Sequence, residues 1–294
     1  MKIVTLDIGG TSIKAGEFID GVLSNIMETD TEAFLGGRHV MDKAKEIIHQ
    51  YAGFDRIGIS TAGQVNSVTG TIRYANSNIP GYTGMEVKKI LEKEFGVPVV
   101  VENDVNAAAI GEAYYGAGQD FDDFLCLTYG TGVGGAIVMK KKIYTGHQFS
   151  AGEFGGIIVH ASKRTPEEDI FSGCYEQYAS TTALVRNAKE LDQTLTDGRI
   201  IFDRIEQEEV RQVVDAWITE VAYGLSTLIH IFNPPCIILG GGVMKQKYIL
   251  DKLRNILYTH IMESYRDVIL RQAVLGNTAG MHGVAARAYE IKEN

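Results

Sequence analysis

Residues 6–11 read LDIGGT and connect two stretches, residues 3–6 and 12–18, whose composition is typical of strands. Residues 128–132 read TYGTG and lead in the same way into the apolar residues 134–139. Each stretch predicts a strand, a tight glycine turn and a second strand. Because the same pattern occurs twice, the sequence predicts an internal duplication, with two related domains that face each other across a cleft.

Glycine is concentrated in three clusters, at residues 9–10, 130–135 (GTGVGG) and 240–242, and each cluster follows an apolar run. Glycine permits a positive φ and lets a ligand come close to the backbone. Because a two-residue hairpin turn needs only one or two glycines, the second cluster predicts a cradle of backbone N–H groups for phosphate. It is not a Walker A loop, since no Gly-Lys-Ser/Thr follows it. The third cluster fits an adenine or ribose pocket and close packing of a helix on a strand equally well.

Helical patterns occupy residues 40–50, 85–95, 104–115, 208–232 and 278–291. The predicted strands lie between these helices, so the sequence predicts an α/β fold with mixed sheets. The polar residues 161–170 predict a surface loop. The three lysines at residues 140–142 predict a solvated hairpin tip.

The composition limits the classes of partner and the compartment. The formal net charge is −9, which argues against nucleic acid or an anionic membrane as the main partner. Cys126, Cys174 and Cys236 are far apart, so they predict neither a disulfide framework nor a metal site, and they fit a reducing compartment. No signal peptide and no apolar run long enough for a membrane span is present. We therefore expect a cytoplasmic protein.

Asp7 ends the first predicted strand, and Gly9, Gly10, Thr11 and Lys14 follow it. A carboxylate in this position can hold Mg²⁺ through water, while the glycine turn and the hydroxyl face phosphate oxygens. A glycine hairpin capped by its Asp and Thr side chains explains the same residues equally well.

Residues 102–106 read ENDVN and follow a predicted strand at residues 97–101. Their polar side chains are therefore expected at the carboxyl end of a strand, where α/β proteins bind ligands. Two acids and two amides can fix several sugar hydroxyls while one carboxylate accepts a proton. Helix capping would explain one Asn or Asp but not four polar residues, so we favour a functional role.

Taken in order, these stretches resemble the ROK family of sugar kinases and repressors, within the actin-like ATPase and hexokinase fold. Four further stretches resemble parts of the family pattern: residues 60–65 (STAGQV), Asn78 with Pro80 and Gly81, residues 151–155 (AGEFG), and residues 173–176 (GCYE). The resemblance covers essentially the whole chain. It implies two actin-like (ribonuclease H-like) domains with mixed sheets flanking a central cleft.

The resemblance also implies roles for particular residues. Asp104 would be the base that takes a proton from the attacking sugar hydroxyl. Further residues would hold the sugar beside it: Gly63, Asn78, Asn103, Glu153 and Glu176. ATP would be bound by the glycine turns and their neighbours: Asp7, Gly9, Gly10, Thr11, Lys14, Gly130, Thr131, Gly132, Gly134, Gly135, Gly240, Gly241 and Gly242. Mg²⁺ would be the second cofactor, held by Asp7 through water.

The implied domains are a small one, residues 1–115 with 279–294, and a larger one, residues 116–278. Sugar and ATP–Mg²⁺ would meet between them, and closure of the domains would exclude water. The family often dimerises through its larger domain, so a homodimer is a possible assembly.

Two departures from the family pattern concern the segment after Glu153. Gly156 replaces the family's His, and Cys174 alone remains of its zinc-binding cysteines, so we expect no structural zinc, since one thiolate cannot build a tetrahedral site. Losing the His leaves space and removes a polar partner at the sugar's anomeric hydroxyl. A sugar substituted at C1 could use this space. The AGEFG segment without the zinc motif also resembles the β-glucoside kinases of this family, and that resemblance implies phosphorylation of a cellobiose-like sugar at its 6-hydroxyl. We therefore expect a β-glucoside kinase. A glucokinase or an N-acetylmannosamine kinase that lost the His together with the zinc is the alternative.

A function of a different class is a sugar-sensing repressor, because the ROK family also includes these. Such repressors carry a winged helix-turn-helix ahead of the first glycine turn. Asp7 stands almost at the start of this sequence and the chain is acidic, so we favour the kinase.

Overall fold

A computed structural model describes residues 1–291 of the 294-residue chain. They form two compact units. The first comprises Met1–Asp122, Val138–Ala151 and the chain from Asn277 on, and the second comprises Asp123–Ile137 and Gly152–Gly276. Each unit combines a sheet with helices, so the α/β class with mixed sheets is confirmed. The domain boundaries at residues 115 and 279 stay a prediction.

The elements of the first unit, in chain order, are β1 (Lys2–Ile8), β2 (Ser12–Ile19), β3 (Val22–Asp30), α1 (Gly37–Ile48), β4 (Arg56–Thr61), β5 (Gln64–Asn66), β6 (Thr71–Tyr74), α2 (Val87–Phe95), β7 (Val99–Asn103) and α3 (Asp104–Tyr115). Its sheet has the order β3-β2-β1-β4-β7. β1 pairs antiparallel with β2 and parallel with β4, and β4 pairs parallel with β7. The carboxyl ends of β1, β4 and β7 therefore lie along one edge of the sheet.

The remaining elements are β8 (Phe124–Tyr129), β9 (Val133–Met139), β10 (Lys142–Ile143), α4 (Glu176–Ala179), α5 (Thr181–Leu191), α6 (Gly198–Asp203), α7 (Glu208–Phe232), β11 (Cys236–Gly240), α8 (Lys247–His260), β12 (Ile269–Gln272) and α9 (Ala279–Tyr289). In the second unit β8 and β12 pair with β11, both parallel to it. The last residues of β9 pair with β10 in the first unit. Among residues 1–291, no helix combines the length and the apolar character that crossing a bilayer requires.

α3 and α9, both in the first unit, cross at backbone contact distance. A Cβ atom added at Gly111 would lie 2.4 Å from the carbonyl oxygen of Ala279, and one added at Gly283 would lie 1.7 Å from that of Ala107. Neither glycine can therefore carry a side chain without the helices moving apart. The close crossing fixes the N-terminus of α3, where Asp104 stands, relative to the N-terminus of α9.

The hairpin tip between β9 and β10 differs from the expected solvated tip. Lys140 and Lys141 have positive φ angles of 52° and 62°, as a tight turn requires. The Lys141 ammonium, however, donates to the carbonyl oxygens of Ala113, Gly118 and Gln119 at 3.1, 2.9 and 2.8 Å. The expectation of a solvated side chain was wrong for Lys141, because its ammonium binds the orphan carbonyls after α3.

Gly283→Ala is expected to lower the free energy of unfolding by about 2 kcal/mol, because overpacking outweighs the higher helix propensity of alanine. Gly198→Ala is the matched control. A Cβ atom there meets nothing closer than Val243 Cγ2 at 3.7 Å, so a change within about 0.5 kcal/mol is expected. Urea unfolding of both variants measures the difference. Equal stabilities would show that α3 and α9 can separate at little cost.

Candidate active site

The carboxyl edge of the first sheet gathers the polar residues expected to carry the chemistry. Asp7 on β1 pairs with Ser60 on β4, and Thr61 on β4 pairs with Asn103 on β7. β7 runs directly into α3, so Asp104 is the first residue of that helix. The register of three parallel strands therefore brings Asp7 and Asp104, far apart in the sequence, to one edge.

Asp104 is half-buried, and one of its two carboxylate oxygens is bound by the protein. Oδ1 accepts hydrogen bonds from the backbone N–H of Val105 at 2.9 Å and from Nδ2 of Asn103 at 2.8 Å. The backbone N–H of Asp104 itself also supports the carboxylate, but within residues 1–291 no other residue donates to Oδ2, which is therefore open to a ligand. Burial, and secondly the negative charge of Asp7, raise the pKa of Asp104 to about 6. The group is thus a carboxylate at neutral pH and a stronger base than an exposed aspartate.

Asn103 caps α3 and also orients Asp104. Its Oδ1 accepts from the backbone N–H groups of Val105 and Asn106, both at 3.0 Å. Its Nδ2 donates to the carbonyl oxygen of Gly63 at 3.0 Å and to Asp104. An amide offers two donors and two acceptor sites, so all four are already used inside the protein. Asn103 therefore fixes the carboxylate and the Gly63 turn.

Glu102 and Asn106 form a buried pair beneath this cap. Glu102 Oε1 accepts from Nδ2 of Asn106 at 3.3 Å and from the backbone N–H of Asn103 at 3.1 Å. Burial raises the pKa of Glu102, and the charge of Arg287 partly opposes that rise. Capping by Asn103 and this pair together account for three of the four polar residues in the segment. Capping explains Asn103 alone and the buried pair explains Glu102 and Asn106, so neither accounts for Asp104.

The first glycine turn is closed by its own backbone and by a residue that the sequence reading missed. The N–H of Gly9 donates to the carbonyl oxygen of Ser12 at 3.0 Å. Thr31 clamps the turn: its hydroxyl donates to the carbonyl oxygen of Gly9 at 2.7 Å, and its N–H to that of Thr11 at 2.8 Å. A Cβ atom on Gly10 would meet nothing within 4 Å, so the space above this turn is open.

Asp7 is held by Ser60, whose hydroxyl donates to Oδ1 at 2.6 Å. Burial raises the pKa of Asp7, while the Ser60 hydrogen bond and the charge of Lys14 oppose the rise. The ammonium of Lys14 also lies 3.2 Å from Oε1 of Glu28 and 3.3 Å from Oγ of Ser12. This ion pair places the Lys14 charge on the surface formed by β2 and β3.

The chemistry of this edge fits Mg²⁺. Burial and repulsion by the charge of Asp7 raise the pKa of Asp104. A divalent cation beside the two carboxylates would offset both effects, because it stabilises their charged forms. No group of three or more His, Cys, Asp or Glu side chains able to hold a metal ion occurs among residues 1–291. Mg²⁺ accepts such a site, since it commonly uses one or two carboxylates and completes its shell with water and substrate phosphates.

A cavity of about 880 Å³ lies within the second unit. Its size is that of a site for a cofactor-sized molecule. Three of the residues expected to bind ATP line it, namely Gly130, Thr131 and Gly242. The other lining residues are Tyr129, Thr181, Thr182, Val185, Thr196, Asp197, Gly198, Arg199, Val243, Lys245 and Gln246. Two of these stretches begin helices after the N-caps Ser180 and Asp197, a signal that the sequence offered and that was not used.

Two further glycines of these clusters, Gly135 and Gly241, allow close packing. A Cβ atom on Gly241, whose φ is +108°, would lie 2.2 Å from the carbonyl oxygen of Tyr129, and one on Gly135 would lie 2.2 Å from Cδ2 of Phe154. Gly132, Gly134 and Gly240 do not line the cavity either. In the third cluster, Gly242 borders the cavity while Gly241 allows a close contact with the Tyr129 backbone.

Glu176 lies against the second glycine turn. It begins α4, and its Oε2 would lie 2.5 Å from a Cβ atom on Gly132 and 3.0 Å from one on Gly155. Glu153 and Asn78 are exposed, each in the unit that contains it. Gly156 is also exposed, and a Cβ atom there would meet only Cε1 of Phe171, at 4.0 Å. A larger side chain could therefore be accommodated at Gly156.

Comparison with known proteins gives the class. The model described as the ROK family matches residues 3–290. An uncharacterised protein of Clostridium perfringens is 41% identical over 98% of this chain and 97% of its own. A β-glucoside kinase of Listeria monocytogenes is 33% identical with 96% of each chain covered. A glucokinase of Streptomyces coelicolor is 33% identical over 98% of this chain and 97% of its own.

Solved structures agree with these relatives. The ROK hexokinase from Thermus thermophilus superimposes with a TM-score of 0.83 at 32% identity over 98% of each chain. A ROK glucokinase from Streptomyces griseus, in complex with glucose and AMPPNP, gives 0.84 at 29% identity over 99% of this chain and 100% of its own. Together these findings define a sugar kinase with the two-domain actin-like fold. The chain belongs to the ROK family, whose kinases use ATP.

Asp104→Asn is expected to stabilise the protein at neutral pH. A carboxyl group whose pKa is higher in the folded state makes folding less favourable as pH rises from about 4 to about 6. In Mg²⁺-free buffer the variant should therefore exceed the wild type by on the order of 2 kcal/mol at pH 7.5, and by much less near pH 4. Denaturant unfolding across this range measures the gap. Asp267→Asn, at an exposed residue, should show none, and a pH-independent gap for Asp104→Asn would contradict the pKa.

Proposed function

We propose that this sugar kinase transfers the γ-phosphate of ATP to the 6-hydroxyl of a β-glucoside such as cellobiose. The observation that carries the chemistry is Asp104, a carboxylate with a pKa of about 6, one oxygen fixed by Asn103 and Val105, and the other oxygen without a donor from any other residue within residues 1–291. A general base works best when its pKa lies near the working pH. Oδ2 of Asp104 would accept the proton of the 6-hydroxyl as the oxygen attacks phosphorus.

Phosphoryl transfer needs positioning and charge stabilisation more than covalent help from the protein. On the sugar side, Gly63, Asn78, Glu153 and Glu176 would provide the hydroxyl contacts. Asn103 would act by holding Asp104 and the Gly63 turn, because its amide has no hydrogen-bonding position left. This narrows the role expected for Asn103, which was direct contact with the sugar.

On the nucleotide side, the cavity beside Gly130, Thr131 and Gly242 would hold the adenosine part of ATP. The open turn at Gly9, Gly10 and Thr11 would receive phosphate oxygens. Mg²⁺ would be held by Asp7 through water and would neutralise charge that develops on the phosphates. Lys14 sits on the same hairpin and would contribute positive charge nearby, reduced by its ion pair with Glu28.

The β-glucoside specificity rests on Gly156. A Cβ atom built on Gly156 would meet only Cε1 of Phe171, at 4.0 Å, so the space beside Gly156 is open. Glycine also offers no polar side chain to a free anomeric hydroxyl. A sugar substituted at C1 would lose nothing by this and could use the space. Relatives named β-glucoside kinase support this substrate, and relatives named glucokinase support glucose as the alternative. N-acetylmannosamine is the other alternative.

Asp104→Asn tests the base. Turnover is expected to fall by on the order of 10²–10⁴, as for other general bases, while sugar affinity measured by calorimetry stays near that of the wild type. The amide keeps Oδ1 as the acceptor for Asn103 and Val105, so the local structure should persist. Asp267→Asn serves as the exposed control. Near-normal turnover in Asp104→Asn would remove Asp104 from the mechanism.

A sugar panel together with Gly156→His tests the specificity. ADP release with Mg-ATP is measured on cellobiose, gentiobiose, an aryl β-glucoside, glucose, mannose and N-acetylmannosamine. We expect the wild type to prefer the β-glucosides. Gly156→His should lower the ratio of kcat/KM for cellobiose to that for glucose by about tenfold or more, because the imidazole fills the space at C1.

Gly156→Ala is the control for this experiment, since a methyl group leaves most of the space open. A wild type that prefers glucose or N-acetylmannosamine would keep the kinase and reject the β-glucoside assignment. A cellobiose-to-glucose ratio that Gly156→His leaves unchanged would show that Gly156 does not face C1.

A further inference from the structure

Residues 157–175 form a loop in the second unit, and the two ends of this loop are hydrogen-bonded to each other. The two ends meet: Ile158 and Cys174 form a β-bridge, and the backbone N–H of Tyr175 donates to the carbonyl oxygen of Ile157 at 2.7 Å. The N–H groups of Val159 and His160 both donate to the carbonyl oxygen of Gly173 at 3.0 Å. Between the ends, almost every residue is exposed and the only helical turn is a short 3₁₀ turn. Regular structure therefore does little to hold the interior of this loop.

Side-chain hydrogen bonds hold the interior instead, and Arg164 makes three of them. Its Nη1 donates to the carbonyl oxygens of Ile170 at 2.8 Å and Ser172 at 2.6 Å, and to the sulfur of Cys174 at 3.2 Å. Arg164 is half-buried, while its neighbours on both sides are exposed. Three acceptors that converge on one point repel one another unless a cation lies between them. Hydrogen bonds from a charged donor are about twice as strong as neutral ones.

The aliphatic part of the Arg164 side chain packs against Gly173. This glycine has a φ of +67°, and a Cβ atom on it would lie 2.5 Å from the carbonyl oxygen of His160 and 3.1 Å from Cδ of Arg164. The arginine therefore packs on the bare face of a glycine whose conformation a side chain would strain. Replacing Gly173 would therefore displace the Arg164 side chain that makes these three contacts.

The contact between Arg164 and Cys174 lies close to Glu176 in the sequence. Cys174, which Arg164 binds, is followed by Tyr175, whose ring hydroxyl donates to the carbonyl oxygen of Val221 at 2.8 Å. Glu176 comes next and reaches Gly132 and Gly155 with Oε2. One residue, Tyr175, thus separates Cys174, which Arg164 contacts, from Glu176.

Other side chains also help to hold this loop: Ser172 Oγ accepts from the backbone N–H of Thr165 at 2.7 Å, and Asp169 accepts from the N–H of Phe171 at 2.8 Å and from Nε2 of Gln177 at 3.1 Å. The guanidinium is the cationic member of this network and the one that contacts Cys174.

We propose that Arg164 is a positioning residue of the kinase: by binding the Ile170, Ser172 and Cys174 acceptors, it fixes the chain so that the Glu176 carboxylate is presented to the sugar. The proposal rests on the proposed role of Glu176 in sugar binding. Arg164 touches no substrate in this scheme. Its removal should therefore weaken sugar binding more than it affects the cavity, because neither Arg164 nor Glu176 lines that cavity.

The test compares Arg164→Met, Arg164→Lys and Lys163→Met, with Glu176→Gln as the benchmark. KM for cellobiose, KM for ATP and kcat are measured for each, with glucose in place of cellobiose if cellobiose is not turned over. Arg164→Met should raise the sugar KM by about tenfold, the equivalent of one lost charge-assisted hydrogen bond, and change the ATP KM by less than about twofold. Arg164→Lys keeps a cation and should recover part of the loss. Lys163→Met, the exposed neighbouring cation, should behave as the wild type.

Hydrogen exchange of the amides at residues 173–177 separates a local effect from loss of folding. Arg164→Met should lose protection there and keep it in α7 and β11, and Lys163→Met should keep both. An unchanged sugar KM in Arg164→Met, beside a raised one in Glu176→Gln, would overturn the proposal. So would equal rises in the sugar and ATP KM values.

Failure of the proposed function looks different. If Glu176→Gln leaves the sugar KM unchanged, Glu176 does not hold the sugar, and the proposed sugar site is wrong at that residue. The bracing by Arg164 is then decided by exchange alone. Undiminished protection of residues 173–177 in Arg164→Met would overturn the bracing as well.

Discussion

The contact between α3 and α9 is the constraint on which the carboxyl edge of the first sheet depends. Gly111 and Gly283 let the two backbones meet without intervening side chains. This contact sets where α3 begins and so where Asp104 stands. It also brings Gly280, in the first turn of α9, so close to the end of β1 that a Cβ atom there would lie 3.1 Å from Oδ1 of Asp7 and 2.6 Å from Oγ of Ser60. Small residues at the crossing of α3 and α9 thus allow the burial that raises the pKa values of Asp7 and Asp104.

That burial leaves Asp7 and Asp104 incompletely compensated. Each accepts hydrogen bonds from one neighbouring side chain, Ser60 or Asn103, and burial raises the pKa of both. An engineered core would avoid two carboxylates in this arrangement, because buried charge without a partner destabilises the folded state. The proposed phosphoryl transfer would benefit from it. The same desolvation makes Asp104 a better base and makes the edge favourable to a divalent cation.

The second unit uses glycine and a single cation for a comparable purpose. Gly130 and Gly242 leave room for a ligand in the cavity, whereas Gly135 and Gly241 let chain segments approach each other. In the loop of residues 157–175, Arg164 joins three acceptors that no strand or helix would satisfy. The polar surface loop expected at residues 161–170 is therefore exposed as expected but internally fixed. A pattern of polar residues indicates exposure and does not reveal such bracing.

The sequence alone determined the elements and the candidate base. α3 at Asp104–Tyr115 and α7 at Glu208–Phe232 have the predicted bounds, because caps and apolar periodicity are local properties of the chain. The α/β class, the glycine turns and the ROK family followed from motifs for the same reason. Tertiary structure alone decided which polar groups were already occupied. The use of the Asn103 amide, the Thr31 clamp, the engaged Lys141 and the brace at Arg164 all depend on partners brought together by folding. No local pattern records those contacts, since hydrogen-bond geometry over such separations is set by the packing of strands and helices.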